Sequence, residues 1–100
     1  MIDAIKIDRE ILLRFCSKWK IAEMSLFGSV LRDDFGPDSD IDVLVELAPH
    51  ADLSLFDWVA MQDELESLFS RPVDLVSKQG LRNPYRRKSI LGSREIVYAA

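Results

Sequence analysis

Cysteine is almost missing from this 100-residue chain: Cys16 is the only one, so no internal disulfide can form. No second thiol or histidine stands at ligand spacing from it, which argues against a structural zinc site and fits a reducing compartment. The single histidine, His50, follows Pro49 in a loop-like stretch with no carboxylate beside it, so a histidine-based catalytic centre is not expected. Glycine and proline number four each, and there is no repeat, low-complexity tract or long linker. No apolar run approaches the roughly 18 to 20 residues of a membrane span. Charged residues precede any apolar stretch in Met1 to Arg9, which does not read as a signal peptide, and a cytoplasmic location is the expectation.

What is present is an ordinary apolar content of 48% with 30% charged residues, expected to form one domain over residues 1–100 with its own core. The net charge of -4 conceals an uneven distribution. Residues 1–74 hold 16 acidic and 7 basic side chains, whereas residues 75–100 hold 1 acidic and 6 basic. Lys78, Arg82, Arg86, Arg87, Lys88 and Arg94 could face a polyanion or an acidic partner, or form a solvated helix face.

The periodicity predicts alternating helices and strands. Asp8 is a candidate N-cap for a helix to about Lys18, with Ile11, Leu12, Phe15, Cys16 and Trp19 forming one apolar stripe. Ile21 to Phe27 reads as a strand, Gly28 to Asp33 as a short helical turn, and Asp34 to Ser39 as a loop. A second strand runs to Leu47. Ser54 and Asp57 resemble a capping box opening a helix to about Phe69, with Leu55, Trp58, Val59, Leu65, Leu68 and Phe69 inward and Asp63, Glu64 and Glu66 on the wet face. Pro72 blocks continuation, Val73 to Val76 forms a short strand, and Asn83-Pro84 starts a last helix to about Leu91. Glu95 to Tyr98 reads as a terminal strand or a frayed end. The expected fold class is α/β (α+β), a single small mixed sheet with helices packed on it.

The chemistry resides in Gly28-Ser29, followed after ten residues by Asp40-Ile41-Asp42. A small-residue turn between strand and helix points backbone N–H groups at an anion. Asp40 and Asp42, two apart on a strand, share a face while Ile41 and Val43 enter the core. Two adjacent carboxylates suit magnesium, which takes oxygen ligands from protein and phosphate. Asp74 is the one carboxylate in the later apolar strand and can complete such a site.

The pattern Gly28-Ser29, Arg32, Ser39-Asp40-Ile41-Asp42-Val43-Leu44-Val45 and Val73-Asp74-Leu75-Val76 resembles the nucleotidyltransferase (polymerase beta-like) superfamily. At this length it is most similar to the minimal nucleotidyltransferases (MNT) that serve as antitoxins in HEPN/MNT toxin–antitoxin modules. The resemblance covers about residues 20 to 80 and implies the nucleotidyltransferase fold. By it, Gly28 and Ser29 would hold the β- and γ-phosphates of ATP, with Arg32 a further phosphate contact. Asp40, Asp42 and Asp74 would be the catalytic and metal-binding carboxylates, holding Mg2+, two ions by analogy. The implied reaction is transfer of AMP to a tyrosine hydroxyl of a small helical HEPN-type toxin; no membrane partner is expected, and a nucleic acid is the less expected partner. Two other readings stay open: an antitoxin acting by contact alone over a vestigial nucleotide site, and nucleotidyl transfer to a small molecule or nucleic acid.

Overall fold

The computed structural model describes residues 8–28, 36 and 39–100. Helix α1 (Arg9–Lys18) starts where Asp8 accepts a hydrogen bond from the Glu10 amide. After a turn through Trp19 and Lys20 come strands β1 (Ile21–Phe27) and β2 (Ile41–Leu47), then α2 (Leu55–Phe69) and β3 (Val73–Ser77). A single 3₁₀ turn (Lys78–Gly80) leads to α3 (Pro84–Ser93) and β4 (Glu95–Ala99).

The sheet has the order β3-β2-β1-β4. β1 is antiparallel to both β2 and β4, whereas β2 and β3 are parallel and joined through α2, as a parallel pair requires a crossover. The sheet is therefore mixed, and Glu95 onward forms a true strand rather than a frayed end. Side-chain alternation divides it into two faces. Ile41, Val43 and Val45 meet Leu12, Phe15 and Cys16 of α1 and Met61, Leu65 and Phe69 of α2 in the main core. Leu44 and Phe27 meet Leu81 and Ile90 in a smaller cluster beneath α3. Burial pushes the Cys16 thiol up to about 12, so it behaves as a small apolar residue.

Local signals set the helix starts as expected. The Ser54–Asp57 capping box is complete in both directions, and Asn83 caps α3 with Pro84 in its first turn. Several assignments of inner and outer faces need correction. Leu55 and Val59 are exposed at 76% and 51%, as is Phe56 at 84%, while Met61 is fully buried. The buried stripe runs Trp58, Met61, Leu65, Leu68 and Phe69, which turns Val59 and Phe56 outward. Ile11 is also largely exposed. Glu64 and Glu66 are not a wet face: Glu64 accepts bonds from Lys18 Nζ (2.9 Å) and Trp19 Nε1 (2.5 Å), and Glu66 accepts from the Val73 amide (2.8 Å). Asp63 is exposed. No helix among the described residues is long and apolar enough to cross a membrane.

Candidate active site

The chain alternates so that the end of β1 and the beginnings of β2 and β3 meet at one end of the sheet. Phe27 is the register partner of Asp42, and Asp42 is the register partner of Asp74. Strand neighbours in register share a face, so Asp42 and Asp74 stand side by side about 4.8 Å apart at the backbone. Both lie on the face opposite Ile41 and Val43, which belong to the main core. Asp40 precedes β2 by one residue and is exposed, as is Asp74; Asp42 is half-buried.

Gly28 closes the group. Its φ of +73° lies in the left-handed region, and a Cβ there would overlap Asp42 Oδ2 with Asp42 Cγ only 3.1 Å away. Glycine is required twice over, for the backbone angle and for the approach of the carboxylate. Ser29 and Arg32, the other expected phosphate contacts, lie outside the described residues, as does most of the Gly28 to Asp33 turn.

Repulsion between two like charges about 4 Å apart is about 1 kcal/mol in water and about 4 kcal/mol at an effective dielectric of ~20. A hard divalent cation would remove it, and the donor set, carboxylate oxygen throughout, fits magnesium. Asp40, Asp42 and Asp74 share one end of the sheet, but among the described residues no three Asp, Glu, His or Cys side chains close on a common centre.

Two side chains without an expected role organise this end. Arg71 Nη1 donates to the carbonyls of Gly36 (2.6 Å) and Ser39 (3.2 Å), the residue before Asp40. Glu66 accepts the Val73 amide beside Asp74, and the Ile41 amide donates to the Pro72 carbonyl at 3.0 Å. The sequence does carry one sign of Arg71: it is the sole Lys or Arg between Arg32 and Lys78, in a strongly acidic stretch.

The basic segment resolves into two groups. Lys78 pairs with Glu46 at 2.8 Å, Arg87 donates to the Lys78 carbonyl at 3.0 Å, and Arg94 bonds Glu23 and the buried Ser25 hydroxyl. These three tie α3 to the far half of the sheet, while Arg82, Arg86 and Lys88 are exposed. The hydrogen bond from Lys78, with its charge, holds the Glu46 carboxyl below the ordinary value. A cleft of about 490 Å³ is also at that far end, lined by Glu46, His50, Ser77 and Gln79 among others. It is some four residues, or about 13 Å, along β2 from Asp42, and contains none of the expected site residues.

Comparison with known proteins agrees with this geometry. The nucleotidyltransferase domain family matches residues 8–97. The chain is 35% identical over 81 residues to the protein adenylyltransferase MntA of Thermococcus cleftensis, covering 81% of this chain and 77% of that one. Its fold superposes with a TM-score of 0.74 on a toxin–antitoxin structure with AMP-PNP, at 19% identity over 94% of this chain and 75% of that chain. With a TM-score of 0.62 it also matches a tri-AMPylated Shewanella oneidensis HEPN toxin in complex with its MNT antitoxin, at 20% identity over 92% and 70% of the two chains. At such identities the superpositions establish the fold. The family match across almost the whole chain and the relative above 30% identity carry the rest: the chain belongs to the nucleotidyltransferase family, among its minimal members, and is a nucleotidyl-transferring enzyme.

Proposed function

We propose that this chain transfers AMP from ATP to a tyrosine hydroxyl of a cognate HEPN-type toxin in the cytoplasm and thereby acts as its antitoxin. The observation that carries the reading is the in-register pair Asp42 and Asp74 beside Gly28. The names of the MntA relative and of the toxin-bound structures supply the acceptor class.

In the reaction, the acceptor oxygen attacks the α-phosphorus in line, the bond from that phosphorus to the bridging oxygen breaks, and pyrophosphate leaves. Asp74, exposed at the start of β3, is the group to receive or orient the hydroxyl proton. Gly28 admits the β- and γ-phosphates to the backbone, with Ser29 and Arg32 as further contacts. Asp40, Asp42 and Asp74 would hold magnesium, two ions in the fullest form, which neutralises the triphosphate and the charge developing on it.

The test is incubation with labelled ATP, magnesium and the candidate toxin, followed by intact mass. An added AMP on the toxin is the expected result, and no AMP on any protein ends this reading. A contact-only antitoxin is favoured by one observation, the exposed apolar group Leu55, Phe56 and Val59 on α2. Doubly substituted Asp40→Asn, Asp42→Asn protein decides between them. If the variant and the parent each neutralise toxin only in proportion to their own amount and equally well, contact and not transfer is the mechanism.

A further inference from the structure

We infer that Arg71 is a positioning residue for the active site, acting through the backbone that delivers Asp40. The inference rests on the proposed nucleotidyl transfer for its consequence, though not for its geometry. Gly36 and Ser39 are bonded to each other twice: the Ser39 amide donates to the Gly36 carbonyl at 3.1 Å, and the Gly36 amide donates to Ser39 Oγ at 3.1 Å. The Arg71 guanidinium binds the carbonyls of both residues. Both bonds leave from one nitrogen, Nη1, whose two N–H groups point in fixed directions in the guanidinium plane.

The next link is covalent. Ser39 is bonded to Asp40, and Ile41 on its other side is fixed by the Pro72 carbonyl. Arg71 adjoins Pro72, so one short corner, Arg71-Pro72-Val73, holds the backbone on both sides of Asp40 and leads directly into Asp74. Glu66 fixes the corner in turn, by accepting the Val73 amide with its side chain and the Arg71 amide (3.3 Å) with its carbonyl. The corner thus couples the position of the first carboxylate to that of the third. Arg71 is half-buried, and its bonds to the Gly36 and Ser39 carbonyls suit holding backbone in place.

Outer residues that orient metal ligands typically change metal affinity or activity by about 10- to 100-fold when removed, and a ligand displaced by about 1 Å can cost roughly 100-fold in rate. The experiment compares the parent with Arg71→Met and Arg71→Lys. Amide exchange in metal-free protein is read at Ser39 and Ile41 against core amides such as Val43 and Leu65, and Mn2+ affinity is read by paramagnetic broadening. In Arg71→Met, exchange at Ser39 should quicken by about tenfold or more with core amides unchanged, and Mn2+ should bind about tenfold more weakly. AMP transfer should need correspondingly more magnesium. Arg71→Lys, which keeps the charge but shortens the side chain and loses the fixed N–H directions, should fall between the two, and it carries the test if Arg71→Met does not fold. Unchanged exchange and Mn2+ affinity in Arg71→Met, uniform loss of protection across the chain, or a lysine variant identical to the parent would each overturn the inference. Absence of AMP transfer by the parent would instead overturn the proposed function, leaving exchange and Mn2+ binding to judge Arg71.

Discussion

A single methyl group added at Gly28 probes the site more sharply than removal of any one carboxylate. Alanine in the left-handed region costs about 1 to 2 kcal/mol, and its Cβ would also displace the Asp42 carboxylate. Gly28→Ala should lower Tm by roughly 5 to 10 °C and reduce AMP transfer by at least about tenfold, read by melting and by intact mass. Asp42→Asn leaves the Gly28 backbone unstrained, so transfer should be lost with a smaller fall in Tm than in Gly28→Ala. That Gly28 ends one strand and that Asp40 and Asp42 open the next was legible in sequence, because turn residues and strand parity are local signals. The place of Arg71 was not, since its partner carbonyls lie 32 and 35 residues away, and only the fold brings that arginine beside Ser39.

At the scale of elements, the two layers of helix are attached by different means. On the main face, α1 and α2 share apolar core and one polar tie, Glu64 with Lys18 and Trp19. Burial raises the Glu64 carboxyl, but the Lys18 and Trp19 hydrogen bonds and the Lys18 charge outweigh it, leaving the value below the ordinary 4.5. A depressed folded-state value means that the contribution is complete above pH 4.5 and disappears as pH falls through the folded value. Glu64→Gln should therefore cost about 1 kcal/mol near neutrality and flatten the loss of stability below pH 4.5, measured by denaturant titration across pH. On the opposite face, α3 buries only Ile90 fully and depends on Arg94 and Arg87. Arg94→Ala leaves Glu23 and the buried Ser25 hydroxyl without that partner and should cost about 1 to 3 kcal/mol. Helix starts were readable from Asp8, Ser54 and Asn83 because a cap involves residues two or three apart. The outward turn of Leu55 and Val59, and the inward use of Glu64 and Glu66, depend on where neighbouring elements end, which no local pattern states.

For the molecule as a whole, ATP with magnesium should bind the folded state alone. At about a hundredfold excess over Kd the stabilisation is about 2.7 kcal/mol, enough to raise Tm by roughly 10 °C or more in a domain of this size. Calorimetry with ATP, with magnesium and with both should show the large shift only for the pair. A flat melting temperature at saturating nucleotide would remove the support for a working site.

The parallel register of β2 and β3 has a consequence for how this chain can change over time. Asp74 meets Asp42 only because Val73 meets Ile41, and a shift of one residue would send Asp74 into the apolar layer and Val73 out of it. Substitutions at exposed helix positions leave this register intact, but a change of length between Phe69 and Val73 does not. Lineages of this protein should tolerate insertions in the loop from Ala48 to Leu53 and none in the three residues Ser70, Arg71 and Pro72, so the spacing of the corner is heritable even where its neighbours' identities are not.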